Sequence, residues 1–201
     1  MVKEVRGIKI AFLGYTYGLS NEEELSEEEK ARANIYSEEL AKKDIEYAKE
    51  NSLQKIHTVG RLDTDTEGLL LFTTNGDFSH SLANPLFHVK KTYYVELEKT
   101  ESEAQRKILE EKFSEGFFIP EEKKEKEFIS RPAILEWNSE NSCRLTITEG
   151  KFHQVKRMFS AQRNKVVFLK RISIGSLALD EKLAPGNSRE LSNEELSLLF
   201  K

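Results

Sequence analysis

The stretch Gly60-Arg61-Leu62-Asp63-Thr64-Asp65-Thr66-Glu67-Gly68-Leu69-Leu70-Leu71-Phe72 sets a charged loop directly before an apolar run. Gly60 and Gly68 bracket the loop, and glycine reaches backbone angles that other residues resist. Residues 69–73 are short and apolar and run into Thr74-Asn75-Gly76, so a buried strand closed by a turn is expected. An acid on such a loop, here Asp63, is held by a rigid element and can still reach a ligand. The same residues also suit a loop in which Asp63 or Asp65 caps a turn. Taken alone, the stretch leaves both readings open.

Working outward, 201 residues suffice for a real core and for one domain or two small ones. Charged residues make up 33% and hydrophobic ones 38%, and no run approaches the ~20 apolar residues that span a bilayer. A soluble, monomeric protein without membrane attachment is expected. The start, Met1-Val2-Lys3-Glu4-Val5-Arg6, leads into no long apolar core and no cleavage site, so no secretion signal is expected. The single cysteine, Cys143, cannot form an internal disulfide, which fits a cytoplasmic setting. That cysteine and the four histidines lack metal-ligand spacing, so no metal site is expected. The net charge is −4, but residues 149–171 hold seven basic residues and one acid, a local +6. A basic face on an acidic chain attracts phosphates over roughly a Debye length. The same run equally suits a solvated charged helix.

The coarse order of elements follows from pattern. Residues 8–13 alternate as a strand, and residues 21–50 are rich in Glu, Lys and Ala and suit surface helices. Asp77 is expected to cap a short helix that Asn84-Pro85 ends. Residues 90–98 read as a strand with Tyr93, Val95 and Leu97 on one face and Thr92, Tyr94 and Glu96 on the other. Thr100 with Glu103 is expected to open a helix to about Phe113. Residues 120–127 read as an exposed charged loop, and 133–137, 143–148, 166–174 and 176–179 as strands. Residues 152–161 read as a helix with Val155 and Phe159 inward and Lys156 and Arg157 facing outward or into a cleft. Ser192 with Glu195 starts a last helix. Many strands with few joining helices predict an α+β fold, a mixed, mostly antiparallel sheet with flanking helices.

Three blocks now stand in order: Gly60-Arg61-Leu62-Asp63, Lys91-Thr92-Tyr93, and Glu149-Gly150-Lys151-Phe152-His153-Gln154-Val155-Lys156-Arg157. With Ser79-His80, Asn84-Pro85, His88, Arg144-Leu145-Thr146-Ile147 and Leu183-Ala184-Pro185-Gly186, they resemble the RsuA-type pseudouridine synthases of bacterial small-subunit ribosomal RNA. The resemblance runs over residues 56–201, the expected catalytic domain. It implies the pseudouridine synthase catalytic fold and a uridine isomerase that breaks the N-glycosidic bond, turns the uracil and rejoins it through carbon 5. It matches Asp63 to the family's catalytic acid, Tyr93 to the tyrosine that stacks on the flipped base, and Lys156 to the cation that pairs with the acid. Arg61 matches an arginine that fills the gap the base leaves. Lys91, Lys151, His153, Gln154 and Arg157 complete the set expected to bind RNA. The residue types suit the roles: carboxylates act as nucleophile or base, rings stack on extruded bases, and a nearby cation favours a charged carboxylate. No redox or group-transfer step is involved, so no cofactor is expected. Where related large-subunit enzymes tend to carry Arg-Glu-Val-Arg, this chain has His153-Gln154-Val155-Lys156. The expected partner is therefore 16S ribosomal RNA or its assembly intermediate.

Residues 1–55 form an atypical segment, with no S4 RNA-binding domain and no Asn-Lys-Pro motif. Residues 7–18 and 43–49 resemble instead a fragment of the capsule (poly-γ-glutamate) synthesis metallophosphatase family, without its His/Asp metal cluster. The competing expectation is an enzyme relic that binds RNA or aids ribosome assembly without catalysis.

Overall fold

A computed structural model describes residues 4–5, 8–11, 56–122 and 125–199 of the chain. The helices expected within 21–50, and most of the 7–18 and 43–49 segments, lie outside the described residues. The chain divides into two compact units, Met1–Asn84 with Ser176–Lys201, and Pro85–Gly175.

The first unit begins with strands β1 (Glu4–Val5), β2 (Ile8–Ala11), β3 (His57–Val59), β4 (Glu67–Gly68) and β5 (Leu71–Thr73), then helix α1 (Gly76–Ala83). Four of these strands form an antiparallel sheet in the order β1-β2-β5-β3. β5 is interior, so Thr73 pairs with Ile10 on one side and His57 on the other. Leu71 and Thr73 are fully buried and Phe72 is half-buried, the alternation that a pleated strand imposes. The strand expected over 69–73 is shorter by two residues, because Gly68 at φ +105 turns the chain just ahead of it. The helix cap is Asn75, whose Oδ1 accepts from Phe78 N at 2.9 Å. Asp77, the cap expected from the sequence, sits inside the first turn, where its charge still opposes the helix dipole. Phe78 and Leu82, four residues apart, supply the buried face.

The second unit carries a 3-10 turn (Pro85–Phe87), β6 (Lys91–Leu97), α2 (Glu103–Glu115), β7 (Phe118–Ile119), β8 (Phe128–Ile129), β9 (Ile134–Trp137), β10 (Ser142–Ile147), α3 (Gln154–Ser160) and β11 (Val166–Ile174). Strands β11-β6-β10-β9 form one antiparallel sheet, and β7 pairs with β8 apart from it. β6 is interior and buries Tyr93, Val95 and Leu97, the face expected from its alternation. Against that face α2 sends Leu109 and Phe113, and α3 sends Val155, Met158 and Phe159. Phe113 lies 5.0 Å from Phe117 and 5.2 Å from Phe159, ring centre to ring centre. Each fully buried ring contributes about 1.5–3 kcal/mol by leaving water. The cap of α2 is Ser102, whose Oγ accepts from Gln105 N at 3.2 Å, not Thr100. Burial pushes the Cys143 thiol up to about 12, so it behaves as a small core residue.

At the end of α2 the chain leaves through Gly116 at φ +77 and ψ 157, a region that only glycine occupies without strain. Phe117 N donates to Ser130 Oγ at 3.0 Å, and Ser130 N to Phe117 O at 2.9 Å, which draws the two segments together. A Cβ on residue 116 would collide with the Ser130 carbonyl oxygen.

The first unit resumes with β12 (Leu177–Ala178) and α4 (Asn193–Leu198). The capping box of α4 forms as expected, Ser192 Oγ accepting from Glu195 N and Glu195 Oε2 from Ser192 N. Residue spacing does not announce the clamp around it. Arg189 donates to both carboxylate oxygens of Glu195, at 2.6 and 2.8 Å, and through Nε to Asp180 at 2.8 Å. Its hydrogen bonds, with those of Ser192, hold the Glu195 carboxyl below the ordinary range despite partial burial.

Two outcomes follow. Gly116→Ala lowers stability by about 1–3 kcal/mol in urea unfolding, through strain and overlap together. Glu195→Gln is less stable than wild type at neutral pH, and the gap closes on acidification. A carboxyl with a depressed folded-state pKa stabilises above its unfolded value of about 4.3 and stops doing so as pH falls through the lower folded value. Melting curves at neutral pH and through the range below about 4.3 read the convergence directly.

Candidate functional site

The residues expected to act fall on both units, Arg61 and Asp63 on the first and the remaining seven on the second. In the first unit, β3 ends at Val59 and Gly60 follows at φ +73. Thr66 N donates to the Asp63 carbonyl at 3.0 Å, closing a tight turn on the buried Thr66. The bond to the Thr66 amide is accepted by the main-chain oxygen of Asp63. Arg61 and Asp65 are exposed and Asp63 is half-buried.

In the second unit, β6 positions Tyr93 and Lys91. Tyr93 is 9% exposed, against 0% for Val95 and 1% for Leu97, so it stands at the margin of the buried row. Across the sheet it faces Leu145 on β10 and Arg171 on β11. Burial, and then the charge of Arg171, hold the Lys91 ammonium below the ordinary lysine range. Arg171 is itself 3% exposed. The sequence reading counted it only as one of seven basic residues. Its signal was legible: it shares the parity of the buried Leu169 along β11, so alternation alone turns a cation toward the core face.

The loop from β10 to α3 is built around Glu149, a carboxylate only 4% exposed. Its Oε1 accepts from Arg131 N at 2.9 Å and from Gln154 Nε2 at 2.6 Å, and its Oε2 lies 3.9 Å from Lys151 Nζ. Gln154 Oε1 in turn accepts from Lys151 N at 2.9 Å. Burying such a charge is costly unless it is satisfied, and here it is. The Lys151 ammonium also lies 3.9 Å from the centre of the Phe128 ring. Helix α3 begins at Gln154, two residues later than expected, because His153 takes a left-handed conformation at φ +48. Phe152 is thereby left outside the helix and 47% exposed, its ring stacked on His153 at 3.8 Å and 17°.

Two assignments change with this geometry. Arg157 does not face outward. It is 4% exposed, and Nη2 donates to the carbonyls of Pro120 and Lys126, each at 2.8 Å, while the guanidinium lies 4.8 Å from the centre of the Phe128 ring. It ties the two ends of the charged loop between β7 and β8. Gln154 is 3% exposed and holds Glu149 and the Lys151 amide, so it orders the loop from within. Lys156 stays half-exposed on α3, between the buried Val155 and Arg157. Among the described residues, no group of His, Cys, Asp or Glu could hold a metal ion, and no helix is long and apolar enough to cross a membrane.

Comparison with known proteins adds the following. A family model described as RNA pseudouridylate synthase matches residues 22–161, so the match begins inside the segment 1–55. The ribosomal small subunit pseudouridine synthase A of Escherichia coli (strain K12) is 44% identical over 143 residues, 71% of this chain and 58% of that protein. Its counterpart in Vibrio cholerae serotype O1 is 44% identical over 152 residues, 76% of this chain and 62% of that protein. The chain thus spans less than two thirds of either relative. A crystal structure described as a pseudouridylate synthase superposes with a TM-score of 0.69 at 33% identity, covering 96% of this chain and 74% of the other. A Cbf5-Nop10-Gar1 complex, at 13% identity and a TM-score of 0.52 over 86% of this chain and 51% of the other, shares the fold alone.

The burial of Arg157 makes a distinguishing prediction. Arg157→Gln lowers stability by about 2 kcal/mol, because two carbonyls lose a charged donor. The slope of log affinity for single-stranded RNA against log salt stays as in wild type. A lost phosphate contact would lower that slope by about 0.7.

Proposed function

The chain belongs to the RNA pseudouridylate synthase family, and from that premise we propose that it isomerises a specific uridine of small-subunit (16S) ribosomal RNA to pseudouridine. The observation that carries the proposal is the 44% identity to enzymes named ribosomal small subunit pseudouridine synthase A, alongside a family match over residues 22–161 that spans Asp63, Tyr93 and Lys156. In the proposed reaction the N1–C1′ bond of the uridine breaks, the uracil turns, and C5 bonds to C1′. C5 then gives up its proton and N1, which carries none in uridine, gains one, so the product is an isomer and no electrons are gained or lost. Nothing in that balance calls for a cofactor.

Asp63 is the proposed nucleophile or base at the sugar, on a turn whose own hydrogen bond is made by the main chain. Lys156 is the proposed cation beside the acid, and a cation there favours the carboxylate that the chemistry requires. Tyr93 is the proposed stacking partner of the extruded uracil, with its exposure at the core margin as support. Arg61, exposed on the loop, is the proposed occupant of the gap in the RNA stack, a task suited to a planar cation. Lys91, Lys151 and His153 are proposed to face the RNA backbone or bases, Gln154 to hold the loop that carries Lys151 and His153, and Arg157 to hold the neighbouring loop between β7 and β8.

The test is nucleoside analysis of a 16S transcript after incubation with purified protein. Wild type yields pseudouridine at one position, and Asp63→Asn, nearly isosteric but uncharged, yields none above background. Turnover retained in Asp63→Asn would overturn the assignment of the acid.

A further inference from the structure

The second unit exposes one aromatic arrangement that the catalytic reading does not use. Phe152 stands outside α3 with 47% of its surface open. Its neighbour is the His153 imidazole, 3.8 Å away and inclined by 17°, so the two rings already form a two-layer stack. An exposed phenylalanine ordinarily lowers its free energy by folding into the adjacent core. Here Val155, Met158 and Phe159 fill that core, and the left-handed His153 turns the preceding residue away from it. Glu149 and Gln154 fix the main chain on either side, so the stack is carried on a pinned loop. The flanking charge is positive: Lys151 precedes the pair, and Lys156 is three residues on.

We propose that the Phe152 ring, backed by the His153 imidazole, is a platform on which an unpaired base of the RNA substrate stacks. This base is one other than the target uridine, so the platform reads RNA structure beside the modified position. The inference rests on the assignment of RNA as substrate. A planar, apolar face of this kind takes any base, because every base has a π-face, and the neighbouring lysines attract the phosphates that adjoin it. The platform thus selects single-stranded over paired RNA and contributes affinity without sequence preference. Stacking of a base on an aromatic side chain is typically worth a ~5- to 150-fold change in affinity.

The experiment measures binding of a single-stranded RNA of about ten nucleotides, carrying the fluorescent base 2-aminopurine, to the full-length protein and to Phe152→Trp, Phe152→Leu and Phe152→Ala. Wild type and Phe152→Trp quench the fluorophore and bind with similar affinity. Phe152→Leu and Phe152→Ala bind at least ~5-fold more weakly and lose the quenching, with melting temperatures close to wild type. Affinity and quenching unchanged in Phe152→Leu overturn the platform, since an aliphatic side chain offers no π-face. Loss in all three variants, including Phe152→Trp, overturns it as well, because the effect then belongs to the shape of the loop. Pseudouridine formation by wild type is followed in parallel. If wild type isomerises and Phe152→Leu binds normally, the platform fails and the isomerase stands. If wild type does not isomerise but the Leu and Ala variants bind weakly while Trp does not, the isomerase reading fails and the platform stands.

Discussion

The second unit depends on one buried carboxylate. Glu149 is almost fully enclosed, and a charge in that position has to be satisfied by several donors or the loop cannot fold around it. The donors come from different parts of the chain: the Arg131 amide ahead of β9, the Gln154 side chain in the first turn of α3, and the Lys151 ammonium at longer range. One acid therefore fixes where β10 ends, where α3 begins, and which way residues 151–153 point. Phe152 and His153 are presented, and Gln154 is withdrawn, as consequences of that single constraint. Removing the carboxylate would take away the bonds from the Arg131 amide and the Gln154 side chain together, a larger loss than one ordinary hydrogen bond.

The basic run of residues 149–171 divides into two kinds of cation. Arg157 and Arg171 are buried and serve the packing or the interior field. Lys151, Lys156, Arg163, Lys165 and Lys170 are exposed or half-exposed and carry the outward charge. Arginine suits the first task because its planar fork can hold two carbonyls at once, as Arg157 does for Pro120 and Lys126. Lysine suits the second, as a mobile and strongly hydrated point charge beside a flexible polyanion. The same division applies to the acids. Glu149 and Glu195 are fixed by several bonds, and the Glu-rich remainder keeps the chain acidic in sum while the run on either side of α3 stays positive.

Much of this was legible in the sequence, and the parts that were not share a cause. The alternation of 91–97 gave the buried face of β6 because a pleated strand leaves no other choice. Ser192 and Glu195 form the capping box that their three-residue spacing announces. Asn75 and Ser102 were passed over for Asp77 and Thr100, since capping residues lay within two positions of each other and local pattern does not rank them. The β7–β8 hairpin was missed because two-residue strands carry no period. The burial of Arg157 was not legible because its partners lie 31 and 37 residues away in sequence, beyond any helical-face argument. Of the site, the ordering of the three blocks and the parity of Arg171 were visible in the residues. The stacking of Phe152 on His153 was not, because it follows from a left-handed residue that sequence spacing does not announce.

The central claim is that the chain rejoins uracil to ribose through carbon 5, and that bond cannot form without expelling the proton on carbon 5. The most direct measurement is release of tritium from RNA transcribed with uridine tritiated at C5, comparing small-subunit with large-subunit ribosomal RNA. The account predicts release from the small-subunit transcript that saturates at one site per molecule, and none from the large-subunit transcript. Absence of release from the small-subunit RNA, or equal release from both, would contradict it.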